Sequence, residues 1–371
     1  MLVDYPACKN SGDFNLMGSN SRFPSTELTS FTSRLFQACG LSSEKGDVTA
    51  KVLVEADLLG HTTHGLNLAA PYLKDLEAGK MNAEGDFMVI RDRGAVAVWD
   101  GRYLPGLWLT QKSIEDATAK AKTYGVGTVV IRKSHHIGCL ASYLEAPARD
   151  GLLIEVSCVD PSVVAVPAHG GLNPIFTPDP IAVGIPTAGD PIMIDLSAST
   201  TAMGTAALYR QRGDLLPGKW LQDAEGTPTN DPNILVADEP GTILPTGGID
   251  HGHKGYSLAL ILETFTQGLS GPGRIDQVNA WGAATQVRIT DPEFFCGITE
   301  FRRQSQYIVD ICKNSIPRDS EKPVRLPGQS GLARKRMNLE QGVPLSDSII
   351  SSLREWSDKL KTSFPQPKEF S

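Results

Sequence analysis

The run Gly127-Thr-Val-Val-Ile-Arg132 limits the possible folds most tightly. Three consecutive β-branched apolar residues, Val129 to Ile131, put apolar side chains on both faces of a strand, so this reads as a buried strand that needs cover on both sides. A helical pattern over 107–124 precedes it, and a helix over 141–149 leads on to a second strand over 152–158. Helices interleaved with buried strands demand a layered α/β or α+β architecture.

The alternation extends along the chain. Further helices are expected from Ser25 or Thr26 to Gly40, and over 42–59 with Gly60 as terminator, 67–78, 254–269, 301–313 and 346–360. Short strands are expected over 87–90 and 95–99, around a turn at 92–94, and over 181–185, 192–195 and 286–289. Residues 159–194 are broken by Pro and Gly, 215–232 and 271–284 read as loops, and 317–331 as a connector. Residues 1–24, rich in Asn, Ser and Gly without a period, read as a loose arm or leader. No internal repeat is evident. With 371 residues, the chain suits one large domain or two to three interlocked ones.

Several function classes are disfavoured. The net charge is -7 and there is no basic run, which argues against a nucleic-acid surface. No stretch is apolar enough to span a bilayer, and MLVDYPACKN lacks the basic start and apolar run of a signal peptide. The six cysteines form no CxxC pair, against a disulfide framework or zinc knuckle, and a reducing cytoplasm fits best. The string Gly213-Asp-Leu-Leu-Pro-Gly218-Lys219 nearly matches a P-loop, but Trp220 stands where the magnesium-binding hydroxyl belongs. No GxGxxG follows a strand, so any dinucleotide must bind on another scaffold than the Rossmann fold.

The histidines carry more information. Six of seven fall in pairs beside glycine: His61 and His64, His135 and His136, His251 and His253. Glycine beside a polar residue lets backbone approach a ligand. One reading is metal, with His61 and His64 sharing a face and His136 completing three ligands; the other is a set of locally hydrogen-bonded loop histidines. Gly252-His253-Lys254-Gly255, at the start of a helix, offers N–H groups and an ammonium to phosphate, or is simply a helix entry. Asp195-Leu-Ser197-Ala-Ser199 ends a strand and suits ribose hydroxyls, or an Asx/ST turn.

Nine strings in order resemble one family. They are Gly60-His-Thr-Thr63-His64-Gly65, Lys133-Ser-His135-His136-Ile-Gly138, Pro167-Ala-His-Gly170-Gly171, Asp179-Pro180-Ile-Ala, Asp195-Leu-Ser-Ala-Ser199, Leu216-Pro-Gly-Lys-Trp220, Gly226-Thr-Pro-Thr229, His253-Lys-Gly-Tyr256 and Leu326-Pro-Gly328. Together they are similar to the malate/L-lactate dehydrogenases that lack a Rossmann fold, whose relatives include ureidoglycolate and sulfolactate dehydrogenases, diketogulonate reductase and piperideine-2-carboxylate reductase.

The resemblance implies a mixed α/β, non-Rossmann NAD(P)-binding fold in an intertwined, multi-domain homodimer. The expected organisation is an arm over 1–24, a nicotinamide-binding domain over 126–284, and a helical substrate and dimerisation domain from 25–125 plus 285–371. It implies a hydride exchanged between NAD or NADP and a small 2-oxo or 2-hydroxy acid, or a cyclic imino acid. His64 and His136 become the acid/base groups, with Thr63 replacing the usual serine. His136, Ile137, Gly138, Cys139 and Leu140 would line the cofactor; Asp195, Leu196, Ser197, His253 and Lys254 would hold its ribose and phosphates; Arg325, Leu326, Pro327 and Gly328 would close over it. Thr177, Met203, Gly204 and Leu68 would border substrate, and no metal is implied. Three departures stand out: Leu68 replaces the arginine that forks onto the substrate carboxylate, Thr205 replaces a charged residue, and Asp179 an asparagine. They point to an atypical, less acidic substrate. Two rival readings remain, a metal-dependent hydrolase or lyase using His61, His64 and His136, and a non-catalytic descendant of the family.

Overall fold

The computed structural model describes residues 21–277 and 280–368. At its centre lies a seven-stranded sheet. In spatial order its strands are Met88–Arg93, Val96–Asp100, Val126–Ser134, Ala283–Thr290, Leu153–Val159, Pro180–Ile185 and Ile192–Ser197. Val96–Asp100 and Val126–Ser134 run parallel; every other neighbouring pair is antiparallel. This mixed sheet is not the parallel doubly wound sheet of a Rossmann fold, in line with the missing glycine fingerprint.

Val129 and Ile131, in the run that constrained the fold, are fully buried. The Gly106–Tyr124 helix covers that strand, and Gly125, in the left-handed conformation, ends the helix and turns the chain into it. The Ser25–Ala38, Ser43–Leu59 and Ala69–Glu77 helices pack alongside through Leu28, Phe31, Leu35, Leu53, Tyr72 and Leu73. Ser42 caps the second of these by accepting from the Lys45 N–H, and Gly60 closes it. A smaller core gathers Val166, Phe176, Leu216, Leu221, Ile243, Ala259 and Leu262 beneath the His253–Glu263 helix.

Several expectations need correction. Residues 1–20 of the expected arm lie outside the described residues, but Arg22–Phe23 is not loose: it pairs with Val343–Pro344, and Phe23 is buried. Ala283–Thr290, which spans the expected boundary at 284/285, lies in the middle of the central sheet. The helix expected over 141–149 is a 3-10 turn, Leu140–Tyr143, then the short helix Glu145–Arg149. The expected loop over 215–232 contributes Leu221–Gln222 and Pro228–Thr229 to a small three-stranded sheet. Helices Met203–Arg212 and Gln329–Gln341 were not foreseen. No helix among the described residues is long and apolar enough to cross a membrane.

Candidate active site

The first site loop, following the Ser43–Leu59 helix, is fixed from below by Asp57. The His61 N–H donates to Ala56 O at 2.8 Å, and the Leu66 N–H donates to Asp57 Oδ2 at 2.7 Å. Gly65 is required between them, because a Cβ there would stand 2.4 Å from the Asp57 carboxylate. Two 3-10 turns result, Thr62–His64 and Leu66–Leu68.

Asp57 is 2% exposed and its Oδ1 has no partner. Burial raises its pKa from 3.8 to about 7, against the opposing Leu66 N–H. The folded state therefore holds a proton that the unfolded chain releases. This contribution is fully present below pH 3.8 and is lost as pH rises through about 7. Its range is on the order of 4 kcal/mol. Asp57→Asn should escape that loss, so urea melts at pH 4.5 and 8 should show the variant gaining on the wild type by a few kcal/mol. A gap that does not change with pH would mean that Asp57 is ionised in the fold.

His64 and His136 face each other at the centre of the site, with ring centres 6.0 Å apart and planes inclined by 27°. His64 Nδ1 lies 2.9 Å from Thr63 Oγ1. Burial, then repulsion from His61, lowers the His64 pKa to about 4. His136 follows the Val126–Ser134 strand; its Nδ1 accepts from Tyr72 O–H at 2.5 Å and from the Gly138 N–H at 3.2 Å. With donors at Nδ1, the neutral ring carries its proton on Nε2. Burial, then His64 and His135, holds the His136 pKa well below the usual histidine range. Trp281 stacks on His136 at 4.9 Å. The neighbouring His135 is turned fully inward, Nε2 to Asp75 Oδ2 at 3.0 Å, and buttresses Tyr72 edge-on. Two neutral imidazoles thus face each other, each with an Nε2 that no described residue engages. They can donate to, or take a proton from, a substrate heteroatom between them.

The residues expected to hold a cofactor flank this pair. Asp195 Oδ2 accepts from the Ala141 N–H at 3.0 Å, which ties the strand end to the segment after His136. Asp195 keeps accessible surface yet is crowded by protein, and that desolvation raises its pKa to about 6. Ile137, Gly138, Cys139 and Leu140 are all buried, and Ile137 O accepts from Tyr143 O–H at 2.6 Å. Thr246 Oγ1 donates to Ser197 O at 2.9 Å, and Leu196 is exposed. Gly255 lets the His253–Glu263 helix dock backbone to backbone, since a Cβ there would meet Thr246 N at 2.3 Å and Ala198 O at 2.4 Å. That docking sets His253 and Lys254 beside the Asp195–Ser199 turn.

One reading changes here. His253 does not open the helix: the chain is already helical over Gly248–His251 and passes through Gly252 in helical geometry. The Gly255 N–H is also spent on Thr246 O. The exposed Lys254 ammonium, rather than free helix N–H groups, is what this turn could offer an anion. Pro327 O accepts from the Met193 N–H at 3.1 Å, which lays Leu326–Gly328 against the strand two residues before Asp195. Arg325 is held by Ser330 at 2.5 Å.

Of the substrate-border residues, Gly204 reaches the residue beside His64: a Cβ there would lie 3.8 Å from Thr63 Cβ. Met203, beside it, is exposed. Thr177 is buried and gives its hydroxyl to Asp179, so it presents no free donor. Asp179 is fully buried with Oδ2 unpartnered, and burial, then Glu263, pushes its pKa far up. It is therefore neutral, close in shape and hydrogen bonding to the asparagine it replaces. Leu68 packs on the main core.

Sequence reading missed Asp57, Tyr72, Asp75 and Trp281. The signal for Tyr72 was available, because a tyrosine in an apolar helix stripe needs a partner for its hydroxyl. The metal trio of His61, His64 and His136 does not assemble. Among the described residues, the metal-capable group is His61 with Cys139 and Asp195.

Residues 23–354 match the family model for malate/L-lactate dehydrogenase. The chain is 35% identical over 330 residues to (2R)-3-sulfolactate dehydrogenase (NADP(+)) of Chromohalobacter salexigens, covering 86% of this chain and 93% of that one. It is 29% identical over 350 residues to malate/(S)-sulfolactate dehydrogenase of Methanothermus fervidus, covering 90% and 96%. The delta1-piperideine-2-carboxylate reductase structure from Pseudomonas syringae pvar. tomato superposes with a TM-score of 0.78 at 26% identity, over 90% of this chain and 99% of that one.

Proposed function

The chain belongs to the malate/L-lactate dehydrogenase family, and from that membership we propose that it moves a hydride between NAD or NADP and a 2-oxo or 2-hydroxy acid, or a cyclic imino acid, less acidic than malate. The observation that carries this is the facing pair His64 and His136, both held neutral and neither engaged at Nε2 by a described residue.

The residues fit a dinucleotide. No described residue donates to Asp195 Oδ1, which is left for ribose hydroxyls, and Lys254 has no ion-pair partner among the described residues and is left for phosphate. Bound nicotinamide would supply the hydride chemistry. The protein supplies the proton and the orientation. His136 Nε2–H holds the substrate heteroatom; His64, neutral near pH 7, takes the proton when a hydroxyl is oxidised and returns one in reduction. Thr63 orients His64 and Tyr72 orients His136.

Titrating the purified protein into NADH and NADPH should quench tryptophan fluorescence, with Trp281 as reporter, and shift the nicotinamide emission. A protein that binds neither cofactor would overturn the proposal. The functional unit is proposed to be a homodimer. Leu260, Ile261, Phe265 and Leu269 stand out on one stretch of helix with 46%, 48%, 43% and 54% of their surfaces exposed, an apolar face that a second subunit would cover. Sedimentation should report twice the 39.9 kDa chain mass; a stable monomer would sink that part.

A further inference from the structure

Cys139 is a buried thiol three residues after His136, and the hydride reading gives its sulfur no task. Its Sγ lies 3.9 Å from Asp195 Oδ2. His61 joins them, so that one ligand atom from each of the three residues lies within 4.8 Å of the others. The three come from separate pieces of chain: the loop after the Ser43–Leu59 helix, the segment after the Val126–Ser134 strand, and the end of the Ile192–Ser197 strand.

An imidazole, a thiol and a carboxylate are a donor set suited to a borderline-soft divalent ion. Around tetrahedral zinc, a sulfur at ~2.3 Å and an oxygen at ~2.1 Å stand roughly 3.6 Å apart. The observed separation of 3.9 Å is a few tenths wider, within reach of small torsional shifts. Little has to be broken. The His61 side chain hydrogen-bonds to no described residue. The Ala141 N–H, already on Asp195 Oδ2 at 3.0 Å, would remain as outer support for the ligating carboxylate. Burial and the adjacent Asp195 keep Cys139 a thiol in the metal-free protein. Binding therefore forms the sulfur–metal bond, breaks S–H and releases that proton to water, with no redox change. His61 is exposed on the outer side, where water can take the fourth position.

We propose that His61, Cys139 and Asp195 bind a zinc-class divalent ion, and that this ion and the dinucleotide exclude one another because both use Asp195. The exclusion rests on the cofactor reading given above; the ion site does not.

Cobalt(II) titration of the cofactor-free protein tests both halves. One equivalent should produce thiolate-to-cobalt charge-transfer absorption, which zinc then bleaches. Cys139→Ala and Cys139→Ser, each checked for folding by circular dichroism, should abolish the band. Asp195→Asn should weaken binding at least about tenfold. Cys296→Ala, at an exposed cysteine, should leave the band unchanged. No band in the wild type, or a band that survives Cys139→Ala, overturns the site. Saturating NADH or NADPH should reverse the band; a band that persists while cofactor is demonstrably bound overturns the exclusion. A protein that binds cobalt through Cys139 but neither cofactor upholds the site and sinks the oxidoreductase reading instead.

Discussion

His136→Ala should lower kcat/KM by about 10²- to 10⁴-fold, the range for loss of a positioned acid/base group, with a modest fall in melting temperature because the buried Tyr72 hydroxyl loses its acceptor. The effect is large because the ring is pre-set: Tyr72 and Gly138 both donate to Nδ1, so the proton is fixed on Nε2, the atom proposed to meet the substrate. Nothing nearby can replace it. His135 is committed to Asp75, and Tyr72, fully buried, gives up its proton only far above the ordinary tyrosine range. The pH profile separates the two histidines. With His64 near 4, oxidation of a hydroxyl needs the neutral ring and should be flat above about pH 5, falling below it. Reduction needs the protonated ring and should rise as pH falls towards 4. Steady-state rates in both directions, with cofactor affinity measured separately by fluorescence, check this. Turnover in His136→Ala within threefold of wild type would remove it from the chemistry.

Much of the fold was legible wherever a local signal and the tertiary structure agree. Ser42 and Gly60 bracket a helix in the sequence and in space, and Val129 to Ile131 form a strand buried on both sides. What escaped lacked such a signal. The Met203–Arg212 helix buries only Ala206, and Gln329–Gln341 only Leu332 and Asn338, so neither shows an apolar period. The insertion of Ala283–Thr290 between Val126–Ser134 and Leu153–Val159 joins strands more than a hundred residues apart, which no local pattern encodes. The site divides in the same way. The glycine-flanked His64 and His136 could be read from their motifs. Tyr72 carried a signal only for some hydroxyl partner; that the partner is His136, and that Trp281 stacks there too, came only with the fold, as did Asp57 with its carboxylate under Gly65.

Leu68→Arg should raise kcat/KM for a 2-oxo dicarboxylate by roughly 10- to 100-fold, because a charge-assisted hydrogen bond to a carboxylate is worth about 1.5–3 kcal/mol. The backbone at this position is already fixed. Leu68 ends the second 3-10 turn, four residues after His64, and its N–H is held by Gly65 O at 2.9 Å. The backbone therefore stays put while the side chain changes. Leucine there packs on the main core and offers no donor to an anion, so under the proposed placement it leaves the wild type without the fork that an acidic substrate would need. The gain should appear mainly in KM, since the carboxylate is bound alike in ground and transition states. An uncharged or apolar 2-oxo compound should gain nothing, and should lose where it uses the leucine surface. The ratio of kcat/KM between the dicarboxylate and its monoester is thus the decisive number. If that ratio does not move, Leu68 does not face the substrate, and the narrowing to a less acidic substrate loses its basis.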